Sequence, residues 1–495
     1  MKLRRDASPA GTVRDWIDAR AAQRGTAYVF ADGAAPLDWA QLQHEARSVA
    51  MALTAQGAQK GESVAILHPN GRAGVLAVFG ALYGGFRATL INLAAGKSAI
   101  SYALEHSEAK LALVHDSVAD LFEATRPHTL RRFDPAAQPA QNDLHDLGAD
   151  DAALLMYTSG TTGRPKGVVH THASLLAGGW TTAIAHELTP QDRALCVLPM
   201  CHINGLCVTM MAPLVSGGSV AMCARFSAGQ FWDQARDFKV TWFSVVPTII
   251  SHLLHGDGTP DPDTQGRLRF GRSASAPLAP DVQRAFEKRF GVAIVETMGL
   301  TETAAQILSN PLPPGVRKIG SPGVAFGNEV EILSRGGQVC PVGTEGEIAV
   351  RGPNVMAGYL KNPEATRESF AGAWLLTGDL GRKDVDGYLF VTGRLKELII
   401  KGGENIAPRE IDEALYSHGD VVEAAAFARP CKTYGERIEA AVRVKEGSGV
   451  TGQMLVEICI ERLGAFKSPE QVHFLAELPK GASGKIQRMK LPDLV

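Results

Sequence analysis

Tyr157 to His172 reads Y-T-S-G-T-T-G-R-P-K-G-V-V-H-T-H and gathers the residue types that anion chemistry needs. Thr158, Ser159, Thr161 and Thr162 supply hydroxyls, and Lys166 supplies one positive charge. Gly160, Gly163 and Gly167 let the backbone come close to a ligand. Backbone amides turned toward one point form an anion-binding concavity, so the segment suits a polyphosphate. It is not the Gly-Lys-Ser/Thr loop of the Walker type, because Pro165 precedes Lys166 and Gly167 follows it. The plain alternative is a solvated Gly/Thr turn.

Four later stretches carry further candidates. Thr301 and Glu302 lie in M-G-L-T-E-T, where a single carboxylate would be adequate for Mg²⁺, which takes one or two carboxylates alongside phosphate oxygens. A helix N-cap Thr with an acidic first turn is the structural alternative. Asp379 ends W-L-L-T-G-D, and Arg394 follows; a turn Asp paired with a surface Arg would look the same. Lys401-Gly402-Gly403-Glu404-Asn405 holds two glycines that could simply form a hairpin turn. Lys485 sits in P-K-G-A-S-G-K-I-Q-R, between Lys480 and Lys490.

Taken in order, these motifs resemble the adenylate-forming (AMP-binding) superfamily of acyl-CoA synthetases, luciferases and peptide-synthetase adenylation domains. The resemblance runs from about Ala40 to the C-terminus. It implies ATP, Mg²⁺ and coenzyme A as cofactors, a carboxylic acid as substrate, and two steps: adenylation with loss of pyrophosphate, then displacement of AMP by the CoA thiol. Residue by residue, it implies that Thr158 and Glu302 serve the metal. Thr158, Ser159, Gly160, Thr161, Thr162, Gly163, Lys166 and Thr301 are placed around the phosphates. Thr297 and Met298 fall at the adenine; the family usually has Tyr at Met298, and a polarizable thioether can cover a purine face less rigidly. Asp379 and Arg394 are assigned to the ribose end and Lys396 to a hinge. Gly402 and Gly403 would admit the pantetheine thiol, which favours CoA as acceptor. The resemblance makes Lys485 the candidate catalytic lysine, with Lys166, Glu302 and Thr158 as its partners in the chemistry. Its ammonium would bridge the carboxylate and the α-phosphate, aligning two mutually repelling anions.

The acyl site is implied by L-P-M-C-H-I-N-G-L and R-S-A-S-A-P, which resemble the oxalate–CoA ligase branch. His202, Asn204, Arg272, Ser275, Gly299 and Ala305 are the substrate candidates. That branch typically shows H-V-H-G, against His202-Ile203-Asn204-Gly205 here, and a His near the position of Ala305. Malonate-type enzymes usually carry Arg where this chain has Thr297. The expected acid is therefore small, polar and doubly anionic, with oxalate and sulfoacetate as candidates. The alternatives left open are a fatty or aromatic acid, a carrier protein in place of CoA, and a nucleotide-binding regulator without turnover.

At 495 residues the chain exceeds one core. Lys plus Arg number 50 against 52 acidic residues, so no field draws nucleic acid or an anionic membrane. The seven cysteines form no C-x-x-C pair and are read as free thiols. No apolar stretch follows Lys2, Arg4 and Arg5, Asp493-Leu494-Val495 is no peroxisomal address, and no apolar run spans a bilayer. The expectation is a cytoplasmic protein, monomer or homodimer.

The elements that must position these residues follow from periodicity. Ala152–Met156, Ser63–Leu67, Leu111–His115, Ala194–Leu198, Ser219–Met222 and Thr241–Val246 read as buried strands. Leu42–Leu53, Val75–Tyr83 and Phe231–Phe238 read as helices. Strands separated by helices predict a parallel sheet covered on both faces. Short β-type runs with Gly-rich turns over Gly320–Tyr359 predict a small antiparallel unit. With the resemblance, the expected fold is α/β. A large N-terminal domain of parallel sheets flanked by helices, plus a small β-barrel-like unit, is hinged to a small mobile α+β C-terminal domain. The boundaries are 1–393, a hinge at 394–396, and 397–495.

Overall fold

The structure is a computed structural model that describes residues 2–134, 144–158, 165–481 and 484–495. Its framework is a pair of sheets sharing one core. The first has seven strands, in the order Gly358–Tyr359, Lys166–Thr171, Ala152–Thr158, Arg87–Leu90, Ser63–Leu67, Leu111–Val114 and Arg131–Arg132. The second has nine, running from Val324–Ala325 through Ile294–Leu300, Phe270–Ser273, Trp242–Val245 and Arg193–Cys196 to Thr26–Phe30 and Leu37–Asp38. Central strands such as Leu111–Val114 and Trp242–Val245 are buried throughout, as both-face coverage demands.

Helix His172–Ala185 begins at a capping box, Thr171 with Ser174, immediately after strand Lys166–Thr171. Its Leu175 and Leu176 belong to a core that also holds Val64 and Ile66 of the first sheet and Ala194 and Val220 of the second. The element that follows the phosphate-binding candidates is thus pinned between both sheets.

The antiparallel unit extends further than the Gly-rich pattern indicated. Strands Glu329–Leu333 and Gly346–Arg351 pair onward with Trp374–Lys383, which also takes Phe370–Ala371 and Leu389–Arg394. The stretch W-L-L-T-G-D is therefore a sheet strand, its turn-like Gly-Asp notwithstanding. Beyond residue 398 a separate five-stranded sheet forms from Glu404–Ile406, Ile399–Lys401, Gly435–Val444, Val421–Cys431 and Gln471–Phe474. It has its own core, built on Ile411, Leu415, Ala426, Val442 and Leu455.

The large part meets this small one along helix Pro247–His255. Thr248 Oγ1 donates to Gly484 O at 3.0 Å, and Ser251 Oγ donates to Val422 O at 2.6 Å. His252 Nε2 lies 2.9 Å from Glu423 Oε1. Among the described residues, no helix is long and apolar enough to cross a membrane.

Candidate active site

Strand Ala152–Thr158 ends at the phosphate-binding candidates and returns as Lys166–Thr171, with Thr158 opposite Lys166 in antiparallel register. Ser159, Gly160, Thr161, Thr162 and Gly163 lie outside the described residues. Beside the returning strand runs Gly358–Tyr359, in register with Val169 and Val168. This places the Tyr359 ring under the Lys166 ammonium, 4.6 Å from the ring centroid, and lets the phenol donate to Glu302 Oε1 at 2.9 Å. Lys166 and Glu302, 136 positions apart, are joined through one aromatic residue. His170, buried and held neutral near pKa 4 by desolvation, donates Nε2–H to Thr301 O at 2.6 Å. Neither Tyr359 nor His170 was singled out in the sequence. The register of a two-residue edge strand identifies Tyr359, and no local motif announces it.

Thr301 and Glu302 occupy a short turn, Thr301–Thr303, after strand Ile294–Leu300. Leu300, not Thr301, takes the cap position, so the helix-cap alternative for Thr301 does not hold. The Thr297 hydroxyl donates to Ser273 O at 3.1 Å, and Met298 packs against the cluster containing Val168, Ile307 and Leu308. Gly299 is required where it stands: a Cβ there would sit 1.6 Å from Ala305 O. Ala305 itself holds φ of 83°, a left-handed conformation that costs a non-glycine residue on the order of 1–3 kcal/mol. The hairpin joining Gly299 to Ala305 is thus drawn tight beside Glu302.

Asp379 and Arg394 face one another across adjacent strands, with Arg394 Nε 3.5 Å from Asp379 Oδ1. They line a cavity between the large and small parts together with Thr248, Pro277, Glu397 and Lys485. Burial raises the Asp379 carboxyl above its usual range, although Arg394 and Lys485 oppose the shift. Burial, reinforced by Arg394, lowers the Lys485 ammonium, while Glu397 and Asp379 oppose it. Lys485 therefore points into the same cavity as the candidate ribose residues. Lys396 is exposed in the turn after Arg394.

Gly402 and Gly403 are not at this cavity. They form the two-residue turn between Ile399–Lys401 and Glu404–Ile406, with φ of 61° and 87°, the left-handed pair that a tight hairpin requires. The neighbouring Lys401 is buried and donates to Phe466 O at 3.0 Å.

The acyl candidates gather elsewhere in the large part. Asn204 opens the π-helical stretch Asn204–Met211, and its Oδ1 accepts from Ser244 Oγ and from Arg272 Nη1, both at 2.9 Å. Arg272 also donates to Ser244 Oγ at 3.0 Å and to Gln306 Oε1 at 3.3 Å. Arg272 is 1% exposed, and among the described residues it forms no ion pair with a carboxylate. Burial depresses its guanidinium to about 9. Asn204 Nδ2 reaches Ser275 Oγ at 3.4 Å, and Ser275 is partly exposed with φ of 74°. The cluster thus runs from an accessible hydroxyl inward to a guanidinium. His202 Nε2 is buried with no hydrogen-bond partner among the described residues, and desolvation lowers its ring pKa. Ser244 and Gln306 were not foreseen: each is one polar side chain inside a buried strand, which periodicity registers only as an interruption.

The structure thus presents three groups: the Thr158/Lys166 hairpin with the Glu302 carboxylate, the cavity lined by Asp379, Arg394 and Lys485, and the buried cationic pocket at Arg272. One carboxylate beside hydroxyls fits a magnesium ion that keeps phosphate oxygens as its other ligands. The family model described as AMP-binding enzyme matches residues 17–360, and that of the AMP-binding enzyme C-terminal domain matches 410–485. The chain belongs to the AMP-binding enzyme family. It is an AMP-forming acid–thiol ligase that works with ATP, Mg²⁺ and CoA.

Among similar proteins, a sulfoacetate–CoA ligase of Cupriavidus necator is 45% identical over 475 residues, covering 93% of each chain. An oxalate–CoA ligase of Arabidopsis thaliana is 42% identical over 342 residues, covering 68% of this chain and 66% of that one. The O-succinylbenzoate coenzyme A synthetase of Bacillus subtilis, solved with ATP and a magnesium ion, superposes with a TM-score of 0.84 at 32% identity. That match covers 96% of this chain and 98% of the other.

Proposed function

We propose that this ligase activates a small, doubly anionic carboxylic acid of the sulfoacetate or oxalate type. The observation that carries the proposal is Arg272. An ion buried without a counter-charge costs several kcal/mol, and among the described residues the guanidinium has only the neutral oxygens of Asn204, Ser244 and Gln306. A substrate whose far end is a sulfonate or second carboxylate supplies the missing charge and leaves its reacting carboxylate toward the nucleotide. His202 Nε2 offers a further unpartnered polar atom for such a head group. The sulfoacetate and oxalate specificities of the two relatives support the same class.

In this reading Thr158, Lys166 and Thr301 hold the phosphates, and Glu302 would hold the magnesium ion, whose charge would offset that of the phosphates. Asp379 accepts from the ribose hydroxyls beside Arg394. Lys485 brings its ammonium between the incoming carboxylate and the α-phosphate, neutralising the charge that both contribute. Gly402 and Gly403 keep a proposed role in thioester formation, for which the small part would turn about Lys396. Residues 1–393 and 397–495 are the two bodies that this motion would separate. The test is AMP release with ATP, Mg²⁺ and CoA across sulfoacetate, oxalate, malonate, acetate, benzoate and a fatty acid. Sulfoacetate or oxalate should turn over fastest; preference for benzoate or the fatty acid would reject the assignment.

A further inference from the structure

Lys485 stands on a short hairpin whose two feet are tied down. Gln487 N donates to Pro479 O at 2.7 Å, Gly481 N donates to Lys485 O at 2.8 Å, and Lys480 bridges Ile486 in antiparallel fashion. At one foot, Lys480 Nζ lies 2.8 Å from the buried Glu423. At the other, Arg488 Nη2 lies 2.6 Å from Asp412 Oδ2 and Nε lies 3.4 Å from Glu397 Oε2, while Nη1 donates to Ala426 O. One guanidinium thus joins helix Pro408–Tyr416, strand Val421–Cys431 and the turn after Arg394.

The geometry gives that junction a second consequence. Lys485 lines one cavity with Arg394, Arg488, Glu397 and Asp379; the two like charges, Arg394 and Arg488, disfavour the ammonium, and Glu397 and Asp379 oppose them. Asp379 is to receive the ribose hydroxyls, which leaves Glu397 as the standing counter-charge. Glu397 is in turn gripped by Arg488. Arginine can hold two carboxylates in fixed directions because its donors lie in one rigid plane; a lysine cannot.

We propose that Arg488 is a positioning residue of the adenylation step: by bridging Asp412 and Glu397 it fixes both the foot of the Lys485 hairpin and the carboxylate that keeps the Lys485 ammonium beside Arg394. The proposal rests on Lys485 being the lysine that meets the reacting carboxylate and the α-phosphate. Arg488 itself touches neither.

The experiment uses the full chain with Arg488→Lys, Glu397→Gln and Lys485→Ala, the first two also combined with the third. ATP–pyrophosphate exchange with the fastest acid of the panel reports adenylation, and thioester formation from that acid's synthetic adenylate reports the second step. Arg488→Lys should slow exchange by about 10–100-fold, the effect of misplacing a reacting group by about 1 Å. The KM for ATP and the second step should stay within about threefold, and the Lys485→Ala background should show no further loss of exchange. Equal losses in both steps, or a loss that adds to that of Lys485→Ala, would reduce Arg488 to a structural residue and overturn the proposal. If Arg488→Lys does not fold, Glu397→Gln carries the test, since it leaves the Arg488–Asp412 pair intact; it should show the same split, and unchanged exchange would overturn the proposal. Exchange that survives Lys485→Ala would overturn the reading of Lys485 itself. Exchange lost in Lys485→Ala but intact in Arg488→Lys would overturn the positioning role alone.

Discussion

The phenol of Tyr359 donates to Glu302 Oε1 at 2.9 Å, from an edge strand paired beside the Thr158/Lys166 hairpin. The bond orients the carboxylate assigned to magnesium, and the same ring carries Lys166. Partners that orient a metal-binding carboxylate are worth roughly 10–100-fold in metal affinity. Tyr359→Phe should therefore raise the Mg²⁺ concentration for half-maximal AMP release by about 10-fold, with kcat at saturating Mg²⁺ little changed. A magnesium titration of wild type and variant checks this.

Arg272→Met should separate specificity from stability. Hydrogen bonds to a charged group contribute about 1.5–3 kcal/mol, so kcat/KM for the doubly anionic acid should fall by roughly 10–150-fold. Turnover of acetate should hold or rise. Met relieves an uncompensated buried cation but takes the Arg272 donor from Gln306 Oε1, at a cost of about 1–3 kcal/mol, so the melting temperature should change little. Steady-state kinetics on both acids together with thermal melts decide the matter.

The pH profile follows from two shifts of opposite sign. The Lys485 ammonium is the active form and its pKa is lowered, chiefly by burial. Adenylation should therefore decline on the alkaline side sooner than an ordinary lysine would dictate. Asp379 must be ionised to accept from the ribose, and burial raises its pKa. The KM for ATP should therefore climb in acid at a higher pH than an ordinary aspartate would cause. Pyrophosphate exchange measured against pH shows both limbs, and Lys485→Ala should lack the alkaline one.

Glu423 makes the contact between the two parts acid-sensitive. Burial alone would raise its carboxyl, but His252 and Lys480 override that and bring it to about 2 from the ordinary 4.5. A depressed carboxyl contributes its stability fully above the ordinary value and loses it as pH falls toward the folded one. Melting temperature should thus decline between about pH 4.5 and 2. In His252→Ala, which removes one of those partners, the folded carboxyl is less depressed, so the decline should be smaller and should end at a higher pH.

What the sequence made legible follows its local signals. Ser63–Leu67 and Ser219–Met222 were bounded to the residue because each is a buried run closed by polar or turn residues. Thr158 and Lys166 were picked out by the Gly/Thr-rich string between them, and the structure sets them opposite one another. The union of Arg272, Asn204, Ser244 and Gln306 was not, since four strands or helices must be assembled before four scattered polar residues become one pocket. Arg272 and Asn204 were reached only through their motifs. Arg488 lay inside a quoted motif, yet its partners Asp412 and Glu397 come from other elements and leave no mark on the pattern around it.

The most direct measurement offers the enzyme ATP, Mg²⁺, CoA and an equimolar mixture of sulfoacetate, oxalate, acetate, benzoate and hexanoate, and identifies the CoA thioesters by mass spectrometry. A buried guanidinium awaiting an anion predicts sulfoacetyl-CoA or oxalyl-CoA as the dominant product. Dominance of benzoyl-CoA or hexanoyl-CoA would contradict the role given to Arg272 and the substrate class built on it.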